Sequence, residues 1–212
     1  MSTRNDVLVV GGIELGAGER FDEVLSRWID QLSSTIGSVL ITSLTVEGVE
    51  VDVPVILATL RSSARDLKIG VAHRLGSGRS ASVLAREATT LDHLLEGRTA
   101  IGVLGGTPEH RAEAEAVVVG LLGGEGEVSA GGAFEHVVRA PNRPGPRTPG
   151  GPTLYVIDQE AQSCRRHQPG SSPSADLLEV LDILSDQIVE AGHHPSDADR
   201  VLLVTEPLGP IS

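Results

Sequence analysis

His73 stands where a short apolar segment, Leu67 to Ala72, gives way to a glycine- and serine-bearing stretch. An imidazole there can take or give a proton near neutral pH, or hydrogen-bond a ligand. Parallel α/β folds gather ligands at the C-terminal ends of their strands, so His73 is the first candidate for acid/base work. The plainer reading is a solvated loop histidine. Cys164 has cationic neighbours, Arg165, Arg166 and His167, which favour a thiolate. No local signature of a catalytic cysteine surrounds it, and a free surface thiol is expected. His193 and His194 are adjacent instead of four apart, and no H-E-x-x-H is present, so no zinc site is expected. Gly76-Ser77-Gly78 lacks the G-x-S-x-G spacing of a hydrolase elbow. Gly16-Ala17-Gly18 lies between a strand and a helix, as a dinucleotide turn would, but Phe21 replaces its third glycine. A plain βα turn is expected there. No P-loop motif exists. Asp92 and Arg98 flank a helix end, where a structural ion pair or a contact to helix-end carbonyls is expected.

These residues need elements to position them. Asp6 to Val10 reads as a buried strand, and Glu19 to Ile36 as a helix with Phe21, Val24, Leu25, Trp28, Ile29 and Leu32 on one face. Ser38 to Thr42 is a second strand. Asp52 and Pro54 open a helix to about Ala64. Leu67 to Ala72 is a third strand. Ser80 caps a helix carrying Val83, Leu84, Ala88, Leu91, Leu94 and Leu95, which Gly97 closes. Thr99 to Leu104 is a fourth strand, and Thr107-Pro108 opens a helix to Gly123. This alternation predicts parallel strands with crossover helices, as a barrel or an open doubly wound sheet. The pattern then breaks. Gly123 to Gly132 and the proline-bearing Pro141 to Pro152 read as loops. Leu154 to Asp158 is a strand, and Ala161 to Pro173 a polar loop. Ser174 caps a last helix with Leu177, Leu181, Leu184 and Ile188 inward. Arg200 to Thr205 is the final strand. A single domain over 1–212 is expected, with loop insertions near 123–152 and 159–174.

Composition narrows the function. The 212 residues carry a net charge of −12 and a single lysine, Lys68, which disfavours a phosphate-backbone partner. Phe21, Trp28, Phe134 and Tyr155 are the only aromatics, too few for base-stacking platforms. No apolar run reaches the roughly 18 residues of a membrane helix. One cysteine and no signal-like N-terminus fit a cytoplasmic protein.

One long segment resembles a known family. Arg86-Glu87-Ala88-Thr89-Thr90-Leu91-Asp92-His93-Leu94, then Gly97-Arg98, then Ile101-Gly102-Val103-Leu104-Gly105 is similar to the helix-3 to strand-4 signature of the luciferase-like monooxygenases. Leu67 to Ala72 fits that family's third strand, and Glu190-Ala191-Gly192-His193-His194-Pro195-Ser196 resembles its "EAGRDPS" helix end. At the end of strand two, where the family often carries Trp and His, Ile41-Thr42-Ser43-Leu44 stands. The resemblance implies a TIM-barrel-like (β/α) fold with parallel strands. With too few strands for a full barrel, an incomplete or truncated form is expected. It implies reduced FMN or the deazaflavin F420 as cofactor, and oxidation of a small organic substrate. A flavin reductase would supply the cofactor. The strand ends Gly12, Ser43, His73, Gly105 and Asp158 are the implied cofactor-facing positions, with His73 the catalytic candidate. A silent flavin-binding relative or a non-catalytic subunit is the alternative. Open strand edges in a shortened barrel would call for a homodimer, or a heterodimer with a related subunit. Helices two and three, with Ile56, Leu57, Leu60, Leu84 and Leu91, are the expected contact elements.

Overall fold

A computed structural model of the chain describes residues 7–20, 23–24, 36–58, 67–123, 126–168, 176–183 and 200–204. The elements, in chain order, are β1 (Leu8–Leu15), β2 (Ser38–Val46), β3 (Val49–Glu50), α1 (Val53–Leu57), β4 (Lys68–Arg74) and α2 (Ala81–Leu94). They continue with β5 (Thr99–Leu104), α3 (Pro108–Leu122), β6 (Glu127–Gly131), β7 (His136–Pro141), β8 (Thr153–Asp158), β9 (Ser163–His167), β10 (Asp176–Ile183) and β11 (Arg200–Val204). The first strands are adjacent, parallel and in sequential order, β1 to β2 to β4 to β5 to β8. That is barrel order and excludes the doubly wound alternative.

The main sheet has nine strands, of which β3 is an antiparallel addition to the end of β2. The other strands run full circle, because β1 pairs in parallel with β2 on one side and β11 on the other. The fold is therefore a TIM-type barrel. It is incomplete in its βα units, because β9 runs antiparallel to both β8 and β10. An antiparallel neighbour needs only a short turn, so no crossover helix separates β8 from β9.

Side chains alternate between two apolar clusters. Leu8, Val10, Leu40, Ala72, Ala100, Leu104, Tyr155 and Ile157 fill the barrel axis together with residues of β9, β10 and β11. Val9, Val39, Ile41, Ile69, Val71, Ile101 and Val103 point outward and pack under the helices, against Leu84, Ala88, Leu91, Val117 and Leu121. The axis is narrow between β4 and β5. A Cβ on Gly70 would lie 1.5 Å from the Ala100 carbonyl oxygen, and one on Gly102 would lie 2.8 Å from Leu40 Cδ1. Small residues on these strands make room for Leu40 and the wholly buried Tyr155.

Several expectations need correction. The segment from Ser174, expected to be helical, forms strand β10 over 176–183, with Leu178 and Val180 buried. Its leucines fit periods of 2 and 3.6 alike, and ladders to β9 and β11 select the strand. Leu184 and Ile188 lie outside the described residues. The polar loop expected at 161–173 contains β9. Its alternation is real but hidden by charge: Cys164 and Arg166 are buried, whereas Arg165 and His167 reach outward to Glu115 on α3 at 2.5 and 2.6 Å. The glycine-rich stretch supplies β6, which pairs with β7 as a hairpin. Strand β1 runs through Gly11-Gly12 to Leu15 instead of stopping at Val10.

The strand edges expected to be open pair with each other, so the edge argument for a partner chain falls away. Leu57, Leu84 and Leu91, expected at an interface, are buried in the outer core. Leu60 lies outside the described residues, as do Phe21, Leu25, Trp28, Ile29 and Leu32 of the first expected helix. Val24 of that helix is buried.

Candidate functional site

The five strand-end candidates do not converge on one point. Gly12 and Ser43 do meet. The β1–β2 register shifts between Gly11, opposite Ile41, and Gly12, opposite Ser43, so Thr42 has no partner on β1. This bulge brings Ser43 to the side of the ladder that Gly12 faces. A Cβ on Gly12 would lie 2.6 Å from Ser43 Oγ, so a side chain at this position would displace the hydroxyl. Gly12 shares its face with Leu8 and Val10, the axial side of the barrel. The pair thus sits inside β1 and β2 and not at their ends.

Gly105 and Asp158 are joined through Arg111, a residue not anticipated from sequence. Gly105 and Gly106 follow β5 with φ of 73° and 69°. This left-handed turn is cheap only for glycine. It aims both carbonyls at Arg111 Nη1, which donates to Gly106 O at 2.6 Å and Gly105 O at 3.3 Å. Arg111 Nη2 donates to Asp158 Oδ2, and Asp158 Oδ1 accepts from the Ala161 N–H at 3.1 Å. Asp158 alternates with Tyr155 and Ile157, so it faces α3 and not the axis. Its carboxylate is committed to holding the β5 and β8 ends against the helix. Arg74, the last residue of β4, carries an exposed guanidinium on this rim, 3.2 Å from Gln159 Oε1.

His73 alternates with Ile69 and Val71 and therefore turns outward to α2. Its Nε2 lies 2.7 Å from Glu87 Oε2, and Arg79 Nη1 donates to Glu87 Oε1 at 3.0 Å. Glu87 belongs to the stretch that carries the family resemblance. Its pairing with His73 was not legible there, because the partners are separated by a turn and one helical turn of α2.

Around the rim, carboxylates fix the loops. Glu135 accepts the Ala81 N–H with both oxygens, at 3.1 and 3.2 Å, and so caps α2 in place of the expected Ser80, whose hydroxyl pairs with Ser82. Glu113 accepts the N–H groups of Ala133, Phe134 and Glu135 at 2.9–3.0 Å. Bonds from the Glu135 and Phe134 amides hold its pKa below the ordinary value. His110 stacks on Phe134 with ring centroids 4.6 Å apart. The start of α3 is self-capped: Thr107 Oγ1 accepts the His110 N–H, and the Glu109 carboxylate, lowered in pKa by its own N–H and then by Thr107, lies beside it.

Cys164 is not a surface thiol. It lies in the axial core, and burial pushes its pKa up to about 12 against the opposing pull of Arg166 and Arg165. Arg98 makes the helix-end contact, Nε to Leu95 O at 3.1 Å. Asp92 instead binds the proline-bearing loop, accepting Thr148 N–H at 2.6 Å and Thr148 Oγ1–H at 2.8 Å. An open groove of about 600 Å³ between α2 and the start of this loop is lined by Arg86, Thr90, His93, Leu94, Asn142 and Pro144, and by none of the strand-end candidates. Among the described residues no cluster of His, Cys, Asp or Glu is suited to a metal ion. No described helix is long and apolar enough to cross a membrane.

In a sequential barrel the loops after the strand C-terminal ends gather the ligand-binding groups. The chain belongs to the luciferase-like monooxygenase family, whose profile matches residues 37–205, from the start of β2 past β11. A similar solved structure is the oxygenating constituent of 3,6-diketocamphane monooxygenase from the CAM plasmid of Pseudomonas putida, a type II Baeyer–Villiger monooxygenase in complex with FMN. It is 14% identical with a TM-score of 0.44, covering 68% of this chain and 51% of that one. This chain thus spans about half the length of that protein. Comparison with curated proteins gives no match.

The rim fits a flavin nucleotide in part. Arg74 offers an exposed cation to a phosphate, and the positive-φ turn at Gly105-Gly106 leaves the backbone uncovered beside it. Deeper in the barrel, Leu104, Ile157 and Tyr155 fill the axis, so a ring system has room only above them.

Proposed function

We propose that this chain is a flavin-dependent oxidoreductase that acts on a small organic substrate, with reduced FMN or deazaflavin F420 bound over the C-terminal mouth of the barrel. The reading is carried by the family match across the strands from β2 to β11. When bound, the cofactor supplies the redox chemistry, and the protein supplies position and exclusion of water. Arg74 would hold the phosphate. Gly12 and Ser43 would border the axial side of the ring. A flavin reductase would supply the reduced cofactor in a cytoplasmic setting. Anaerobic titration with reduced FMN and with reduced F420 tests the reading. Saturable binding of one of them, weakened at least tenfold in Arg74→Ala, is expected. No saturable binding of either would overturn it.

A second reading has its own support. His73 turns away from the axis, Asp158 is committed to Arg111, and Arg74 carries an exposed cation on the described rim. That arrangement suits flavin binding without proton transfer, as in a silent relative or a non-catalytic subunit. Admission of O₂ to the reduced complex in the presence of candidate aldehydes and ketones separates the two. A turning-over enzyme forms product, whereas a silent one only reoxidises its flavin. Association with a second subunit belongs to this second reading and is checked by light scattering.

A further inference from the structure

β2 and β4 are paired only from Ser38–Lys68 to Ile41–Val71. Beyond that level each strand follows its other neighbour, β2 with β1 to Val46 and β4 with β5 to Arg74. The two strands part like a fork. The gap between them is a cavity of about 140 Å³, bordered by Glu50, Val51, Val53 and Pro54 from β3 and the start of α1. Its remaining polar lining comes from Thr42, His73, Arg74, Ser77 and Arg79.

His73 is 8% exposed, and its Nδ1 is buried without a hydrogen-bond partner among the described residues. A buried polar atom left unpaired is uncommon and points to a missing partner. The ring is fixed at its other nitrogen. Glu87, steadied by Arg79, lies 2.7 Å from Nε2, and the tautomer that donates from Nε2 to this carboxylate presents a lone pair at Nδ1. In that tautomer the partner for Nδ1 is a donor. The cations lining the gap, Arg74 and Arg79, are offset by Glu50 in the lining and by Glu87 on Arg79, which favours a neutral occupant. At roughly 30 Å³ per water, the volume holds about four or five waters, or one organic molecule of about five or six non-hydrogen atoms.

We propose that this fork binds a small neutral hydroxyl-bearing molecule, the size of propanediol, whose O–H donates to His73 Nδ1. Thr42 and Ser77 complete the polar lining for a second hydroxyl. The site is built by the β2–β4 divergence, β3 and the start of α1, and it does not rest on the flavin reading.

Long-range ¹H–¹⁵N correlation spectra of the ¹⁵N-histidine-labelled chain, titrated with 1,2-propanediol, test the proposal. The expected result is a His73 ring protonated at Nε2 whose Nδ1 resonance shifts and saturates in the millimolar range. Val53→Phe, which fills the cavity from the α1 side, should abolish saturation. Should that variant not fold, His73→Asn with ligand-observed saturation transfer serves instead, and the transfer should be lost. A shift linear in propanediol and equal in wild type and variant would mean water alone fills the gap, and would overturn the proposal. So would saturation by acetate but not by propanediol. Repeating the titration with flavin separates the readings, because failure of flavin to bind leaves the His73 result unchanged.

Discussion

Asp92→Ala should destabilise the protein without altering ligand binding at the strand ends. Asp92 is fully buried near the C-terminal end of α2, and its two oxygens accept the N–H and O–H of Thr148. Hydrogen bonds to a charged group contribute about 1.5–3 kcal/mol each. Thr148 is half-exposed, so water recovers part of the loss, and removal of a buried carboxylate offsets a little more. A net cost of about 2–3 kcal/mol follows. For a chain of this length that is a fall in Tm of about 4–12 °C. Asp92→Asn retains one acceptor and should lose about half as much. Thr148→Val alone should cost about 1 kcal/mol. Because the two residues share their bonds, the double variant should cost about 1 kcal/mol less than the sum of the single ones. Circular dichroism melts of wild type and the four variants give all of these values. Additive costs, or a Tm for Asp92→Ala within about 2 °C of wild type, would refute the reasoning. An unchanged Tm with lost flavin affinity would give Asp92 a functional role instead.

Gly70→Ala should yield little folded protein, because its Cβ would meet the Ala100 carbonyl at 1.5 Å and neither backbone can retreat without parting β4 from β5; a soluble variant with near-native Tm contradicts this packing. Cys164 should resist an aromatic disulfide reagent at pH 8 in the native state and react fully in urea, since burial raises its pKa to about 12. The folded thiol keeps its proton while the unfolded one ionises near pH 8.5. Its stabilisation is therefore intact below that pH and is lost as pH rises toward 12, at about 1.4 kcal/mol per unit. Cys164→Val should flatten this alkaline limb, and an unchanged limb would show that other groups set it. Glu113 has a depressed pKa, so its hold on the hairpin tip is present at neutral pH and is lost as pH falls below the ordinary carboxylate range. Amide exchange at Ala133, Phe134 and Glu135 should accelerate there, and in Glu113→Gln at pH 7. Equal protection in wild type and variant would remove Glu113 as the clamp.

The sequence by itself determined the elements whose local signals are unambiguous. α2 follows from a run that fits the helical period, β5 from a short apolar run after Gly97-Arg98 and α3 from its Thr107-Pro108 start, and Gly97 takes its expected positive φ of 84° because a strongly periodic helix ends there. The stretch from Arg86 to Gly105 also carried the family, since its side chains serve both the helix face and the strand. Tertiary structure decided what local pattern leaves open. Leu177 to Ile183 fits a helix as well as a strand, and only pairing with β9 and β11 chose the strand. Ser163 to His167 is too charged to read as a strand, yet Glu115, distant in the chain on α3, pairs with its outward Arg165 and His167. The direction of His73 rests on the same cause. Its place at a strand end is written in the chain, but which face it takes depends on strand parity, and its partner Glu87 is brought near only when α2 packs across β4.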